Sequence, residues 1–321
     1  MIQPPLSGAT PTRLIELPAL ARRANVGRVF VKAEGDRLLG NFKSLGGLTA
    51  GLRALARISD TPARLICASD GNHGLAVAAA ARQAGAKASV YLPAGVAAAR
   101  ARRIEAQGGE IVWISGTYDD AVREAAAAAA RGDGLLIPDT TADLSDRVVE
   151  DVMEGYDQIC RELAVQLPEA PTHLFVQAGV GGLAAAMAEG LSGRMLTLGA
   201  LLVVEPEAAA CVAAALAAGR PVRIPGDLQT SAEMLSCGLA SAPALAILLR
   251  HGARSVTVGE DELACAVDAL RDAGGPDATA SGAAGLAGLL HVAFCAELRA
   301  ELDLTPSSSV LLVATEGPVE A

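Results

Sequence analysis

The stretch Leu174-Phe175-Val176-Gln177-Ala178-Gly179-Val180-Gly181-Gly182-Leu183-Ala184 decides the fold class. It begins as a short apolar run without polar alternation, crosses three glycines and continues into small apolar residues. A strand with no polar face belongs in a sheet covered on both sides, and a glycine turn leading into an Ala-rich run reads as strand, turn, helix. The same grammar repeats along the chain. Strands are expected at 29–32, 65–68, 89–92, 111–114, 135–137, 174–176, 201–204, 256–258 and 310–313, with helices between them at 74–84, 98–107, 118–131, 147–165 and 260–273. Such alternation predicts an α/β protein with mostly parallel sheets. The weakly charged stretch 278–296 reads as a closely packed buried helix rather than a membrane span. Breaks near Asn41 and at Pro138-Asp139-Thr140-Thr141 suggest a smaller domain, 42–140, inserted into a larger one made of 1–41 and 141–321.

Composition narrows the function. The 321 residues are 51% hydrophobic, enough for a substantial core, and carry a net charge of −10 with a pI near 5.0. Nucleic-acid and anionic-membrane surfaces need clustered Lys and Arg, so neither partner is expected and small-molecule chemistry is favoured. Six scattered cysteines without a CxxC pair read as reduced thiols, and no zinc site is expected. Residues 1–8 lack a basic, apolar leader, consistent with a cytoplasmic protein. The 34 glycines exceed the average share of roughly 7%.

Ligands of α/β sheets gather at the carboxyl ends of strands, and four loops there are chemically loaded. In Asn41-Phe42-Lys43-Ser44-Leu45-Gly46-Gly47 a lysine opens a helix, where the dipole is expected to lower its pKa and favour the nucleophilic amine; a surface lysine is the plain alternative. Ser69-Asp70-Gly71-Asn72-His73-Gly74 offers a base and hydrogen-bonding groups, or simply a helix cap. Gly179-Val180-Gly181-Gly182-Leu183-Ala184 fits a phosphate cradle. It also fits the dinucleotide fingerprint, with Glu205 as the ribose acid, so the loop alone leaves a nicotinamide oxidoreductase open. Ala314-Thr315-Glu316-Gly317 ends the last strand and places a hydroxyl where a heteroaromatic nitrogen could meet it.

With Asn41-Phe42-Lys43, the Ser69 to Gly74 loop, Gly179-Val180-Gly181-Gly182, Val204-Glu205-Pro206 and Thr315-Glu316-Gly317 in this order, the chain resembles the fold-type II, tryptophan-synthase β-like enzymes. These are two-domain, three-layer α/β/α proteins that use pyridoxal 5′-phosphate. Within them, Asp70, Asp139-Thr140, Met153-Glu154-Gly155-Tyr156 and Thr315-Glu316-Gly317 look most like the diaminopropionate ammonia-lyases. The resemblance implies that Lys43 holds the cofactor, that Gly179, Val180, Gly181, Gly182 and Leu183 bind its phosphate, Asn72 its ring hydroxyl and Thr315 its pyridine nitrogen. Asp70 and Asp139 become the candidates for removing the α-proton and for binding or protonating a β-amine. Ser44, Ser69, Gly71, Asn72 and His73 would surround the substrate carboxylate. The reaction implied is α,β-elimination from 2,3-diaminopropionate or a similar β-substituted amino acid, through an aminoacrylate to pyruvate and ammonia. Serine/threonine dehydratase and β-replacement are the alternatives of the same fold, and a homodimer is the usual assembly. Related racemases carry an Asp six residues after the Val-Glu-Pro glutamate; Cys211 stands there, so no metal is expected.

Overall fold

A computed structural model describes residues 10–58, 63–69, 71–192 and 200–318. The strands are β1 (Leu14–Glu16), β2 (Arg28–Ala33), β3 (Arg64–Ala68), β4 (Lys87–Pro93), β5 (Gly109–Ile114), β6 (Leu135–Leu136), β7 (His173–Gln177), β8 (Ala200–Pro206), β9 (Arg254–Val258) and β10 (Ser309–Ala314). The helices are α1 (Pro18–Ala24), α2 (Lys43–Ala56), α3 (Asn72–Gln83), α4 (Ala98–Ala106), α5 (Tyr118–Ala130), α6 (Arg147–Gln166), α7 (Gly182–Ser192), α8 (Cys211–Ala218), α9 (Ala242–Arg250), α10 (Glu260–Asp272), α11 (Ala280–Phe294) and α12 (Ala296–Glu301). They form two sheets. One has the order β1-β2-β10-β7-β8-β9 and the other β5-β4-β3-β6. All pairings are parallel except β1 with β2.

Alternation along β7 explains its unbroken apolar reading. Leu174 and Val176 pack into one core with residues of α2, α6 and α7, whereas Phe175 points into a second core with residues of α1, α10 and α11. Side chains of a strand alternate between faces, so a sheet sandwiched by helices must be apolar at every position. The smaller sheet obeys the same rule: Leu65 and Cys67 of β3 join the first core, while Ile66 and Ala68 meet Ala121, Ala125 and Ala128 of α5. The segment 278–296 is indeed helical and almost wholly buried as α11, and among the described residues no helix is long and apolar enough to cross a membrane.

Strand β1 escaped the sequence reading. It has three residues, lies at the sheet edge and owes its form to antiparallel pairing with β2, which no local pattern announces. None of the six cysteines forms a disulfide, and Cys67, Cys160 and Cys211 are buried.

A buried ionic cluster anchors the segment leading to Lys43. Lys32 Nζ lies 2.5 Å from Glu162 Oε2, Arg37 Nη1 2.6 Å from Glu162 Oε1, and Arg37 Nη2 2.7 Å from Glu34 Oε1. Glu162 belongs to α6, so the cluster ties the end of β2 and its following turns to that helix. Helix α2 then lies tightly on α6: a Cβ on Gly46 would stand 2.6 Å from Cε1 of Tyr156, and one on Gly155 2.5 Å from the Leu45 carbonyl. Gly46 and Gly47 therefore serve helix packing, Gly47 against Ala76 of α3, rather than a ligand loop.

Candidate active site

The loops that follow β3, β6, β7 and β10 converge on one cleft of about 870 Å³ that opens to solvent. Lys43, Ser69, Gly71, Asn72, His73, Asp139, Gly179, Val180, Gly181, Gly182, Leu183 and Thr315 all line it. Ser44, also expected there, is instead buried beneath, its hydroxyl donating to the Asn41 carbonyl at 2.9 Å; Asp70 lies outside the described residues.

Lys43 is the first residue of α2. Its Nζ lies 2.6 Å from Asp139 Oδ2. Burial pushes the ammonium pKa down, but the Asp139 carboxylate outweighs burial and holds it above the ordinary lysine value. This reverses the expectation drawn from the helix dipole: a full negative charge in contact exceeds the half-charge of a helix end. Asp139 answers in the opposite sense. Burial raises it, yet the charge of Lys43 and hydrogen bonds from Lys43 and Tyr118 hold its carboxyl far below the usual carboxylate range. Tyr118, the first residue of α5, donates its hydroxyl to Asp139 Oδ1 at 3.2 Å.

His73 is 1% exposed, with Nε2 2.8 Å from the Ile137 carbonyl. A carbonyl only accepts, so the proton sits on Nε2 and Nδ1 is left as a bare acceptor. That Nδ1 has no partner among the described residues. Burial depresses the imidazole pKa further, which keeps the ring neutral. Ser69 Oγ accepts the amides of Gly71 at 2.9 Å and Gly74 at 2.8 Å, ordering the start of α3. Asn72 donates to Glu316 Oε2, and Thr279 Oγ1 donates to Glu316 Oε1 at 2.5 Å.

The turn between β7 and α7 has the chemistry of an anion cradle. Gly181 has φ +97°, and a Cβ on Gly179 would stand 3.0 Å from Cys237 Sγ and 3.2 Å from the Met234 carbonyl. The first amide of α7 to meet a carbonyl is that of Ala185, on Gly181 at 2.9 Å. Those of Gly182, Leu183 and Ala184 have no acceptor among the described residues, leaving three open donors at a helix N-terminus, of which Gly182 and Leu183 line the cleft. Thr315 completes the donor set with a hydroxyl that accepts from Gln177 Nε2 at 3.0 Å. An amine at the start of α2, an anion cradle after β7 and a hydroxyl after β10 fit the aldehyde, phosphate and ring nitrogen of pyridoxal 5′-phosphate.

The geometry argues against a ribose-binding role for Glu205. Its carboxylate oxygens accept the amides of Val212 and Ala213 at the start of α8, 2.7 Å each, and the residue is 0% exposed. Burial raises its pKa to about 8. Among the described residues no cluster of three His, Cys, Asp or Glu could hold a metal.

Tyr118, Tyr156, Gln177, Met153, Met234, Cys237 and Glu316 also line the cleft and were not singled out as site residues from sequence. Glu316, Met153 and Tyr156 sit inside motifs already quoted and Gln177 next to the glycine turn, so their positions were the available signal. Tyr118, Met234 and Cys237 are ordinary helix or loop residues until the chain folds.

Comparison with known proteins agrees with this chemistry. The chain is 32% identical to the diaminopropionate ammonia-lyase of Salmonella typhimurium, covering 95% of this chain and 85% of that protein. It is 29% identical to a human serine dehydratase-like protein, covering 98% and 92%. The solved diaminopropionate ammonia-lyase of Escherichia coli, in complex with an aminoacrylate-PLP azomethine reaction intermediate, superposes with a TM-score of 0.86 at 28% identity, covering 98% of this chain and 86% of that one. Residues 6–316 match the model of the pyridoxal-phosphate dependent enzymes, and the chain belongs to that family.

Proposed function

We propose that the protein is a carbon–nitrogen lyase that converts 2,3-diaminopropionate and water to pyruvate and two molecules of ammonia. The observation that carries this reading is the buried Asp139 carboxylate, kept ionised beside an amine in the cleft. A diamino acid brings an extra positive charge, and an anion already shielded from water attracts it more strongly than a solvated one would.

In this reading Lys43 holds the cofactor covalently, the amides following Val180 hold its phosphate, Asn72 its ring hydroxyl and Thr315 its ring nitrogen. When bound, the cofactor supplies an electron sink for the charge left by α-proton removal. Asp139 orients the β-ammonium through Oδ2, and Tyr118 keeps Oδ1 anionic by donating to it. Lys43 Nζ, once free, carries a proton between substrate and Asp139. His73 offers Nδ1 as an acceptor for a substrate donor, and its neutrality prevents it from repelling the ammonium. Asp70 is the proposed α-proton base. Residues 42–140 form the proposed inserted unit, supported by a four-stranded sheet drawn wholly from 64–136. A cytoplasmic homodimer completes the proposal.

The test is pyruvate release from purified holoenzyme. Diaminopropionate should be turned over much faster than L-serine, and Asp70→Asn should abolish turnover without loss of bound cofactor. Equal or faster turnover of L-serine would support the second reading, a serine dehydratase, which similarity to the human serine dehydratase-like protein favours.

A further inference from the structure

Gln177 closes β7 at the cleft, 2% exposed. Its side-chain nitrogen is ringed by oxygens: the carbonyls of Gly282 at 2.9 Å, Ser281 at 3.0 Å and Val313 at 3.1 Å, and Thr315 Oγ1 at 3.0 Å. Its own oxygen, Oε1, is buried without a partner among the described residues. Turning the amide over would set that oxygen against three carbonyl oxygens, so the NH2 group must face them.

This has a consequence for Thr315. A hydroxyl donates or accepts as its surroundings ask, whereas an amide NH2 only donates. Thr315 therefore cannot direct its hydrogen at Gln177. Its Oγ1 has no other hydrogen-bond partner among the described residues, and Thr315 is 4% exposed and lines the cleft. The hydroxyl hydrogen is left for a ligand acceptor.

We infer that Gln177 is a positioning residue: by occupying the acceptor side of the Thr315 hydroxyl, it makes that hydroxyl a donor to the cofactor's ring nitrogen and keeps the nitrogen unprotonated. A protonated ring would meet the hydroxyl hydrogen donor to donor. The unprotonated ring is the weaker electron sink, so charge does not linger on it and departure of a β-substituent is favoured over transamination. The inference rests on the proposed placement of Thr315 at the ring nitrogen. It adds that the hydroxyl's direction is imposed by a residue that does not touch the cofactor through a hydrogen bond of its own.

The experiment is nitrogen NMR of holoenzyme reconstituted with pyridoxal phosphate labelled at the ring nitrogen, with visible absorbance reporting occupancy. The wild type should show an unprotonated nitrogen whose signal is constant across neutral pH. Gln177→Leu removes both amide groups, and its signal should no longer stay constant across neutral pH. Gln177→Met removes the donor while keeping the bulk, and its ring nitrogen should titrate with pH. Thr315→Ala separates the two claims: an unchanged signal there overturns the placement of Thr315. A shifted signal in Thr315→Ala, with wild-type signals in both Gln177 variants, overturns the role of Gln177 alone. A protonated wild-type nitrogen also overturns it.

Discussion

Lys43 and Asp139 are 96 positions apart in the chain, yet Lys43 Nζ and Asp139 Oδ2 lie 2.6 Å from each other in the cleft. One residue begins α2, which leads from the larger sheet to the smaller, and the other follows β6 of the smaller sheet, so the pair exists only once these elements pack. The contact sets the charge of both groups. Asp139 keeps its proton off to well below the ordinary carboxylate range, and Lys43 keeps its own to above the ordinary lysine range.

Asp139→Asn should lower diaminopropionate turnover by roughly 10²–10⁴-fold, the usual size of a lost acid–base or charge-binding group. In cofactor-free protein the same change leaves burial unopposed at Lys43, so its pKa should fall. Labelling of Lys43 by an amine reagent at neutral pH should then become faster than in wild type, and an unchanged labelling rate would count against the pairing.

Gly181→Ala places a side chain at φ +97°, which costs on the order of 1–2 kcal/mol. Because the strain falls on the amides of the proposed phosphate cradle, cofactor affinity should drop about tenfold. A titration followed by the visible absorbance of bound cofactor measures it, and a urea unfolding curve of the cofactor-free protein separates strain on the fold from strain on the cradle.

Glu162→Gln should destabilise the protein by roughly 3–5 kcal/mol, because it leaves Lys32 and Arg37 buried with one carboxylate between them instead of two. Burial raises the Glu162 pKa, but Arg37 and Lys32 prevail and hold it at about 2, below its unfolded value. The stabilisation it contributes is therefore present above the ordinary glutamate range and is lost as pH falls toward 2. The difference in urea midpoint between wild type and variant should be constant at neutral pH and shrink in acid.

Glu205 has the opposite sign. Burial lifts its folded pKa to about 8, above its unfolded value, so its contribution is fully present below the ordinary glutamate range and is lost as pH rises through 8. Relative to Glu205→Gln, which does not titrate, the wild type should lose stability between pH 5 and pH 8. Thermal unfolding of both proteins across that window checks it; a difference that grows with pH would show the carboxyl to be ionised on α8.

Much of the layout was readable locally. The apolar runs at 65–68, 174–176 and 310–313 became β3, β7 and β10 because each must be apolar on both faces. The glycines of 179–182 marked a turn into a helix for the same local reason. Strand β1 was not readable, since its three residues carry no period and depend on β2. Nor was the burial of Ser44, whose polarity suggested a ligand contact but whose hydroxyl is taken by the Asn41 carbonyl one turn away.

By itself the sequence determined the fold class and the strand-end loops, because periodicity and turn chemistry act over a few residues, while the roles expected of Lys43, the 179–183 loop and Thr315 came from resemblance to a family. Tertiary structure decided how those groups are charged and aimed. Only folding puts Asp139 against Lys43 and reverses the pKa expected from the helix end, and only folding surrounds the Gln177 amide with carbonyls from α11 and β10. Charge and hydrogen-bond direction depend on what lies within a few ångströms in space, and neighbours in space are set by the packing of elements far apart in the chain.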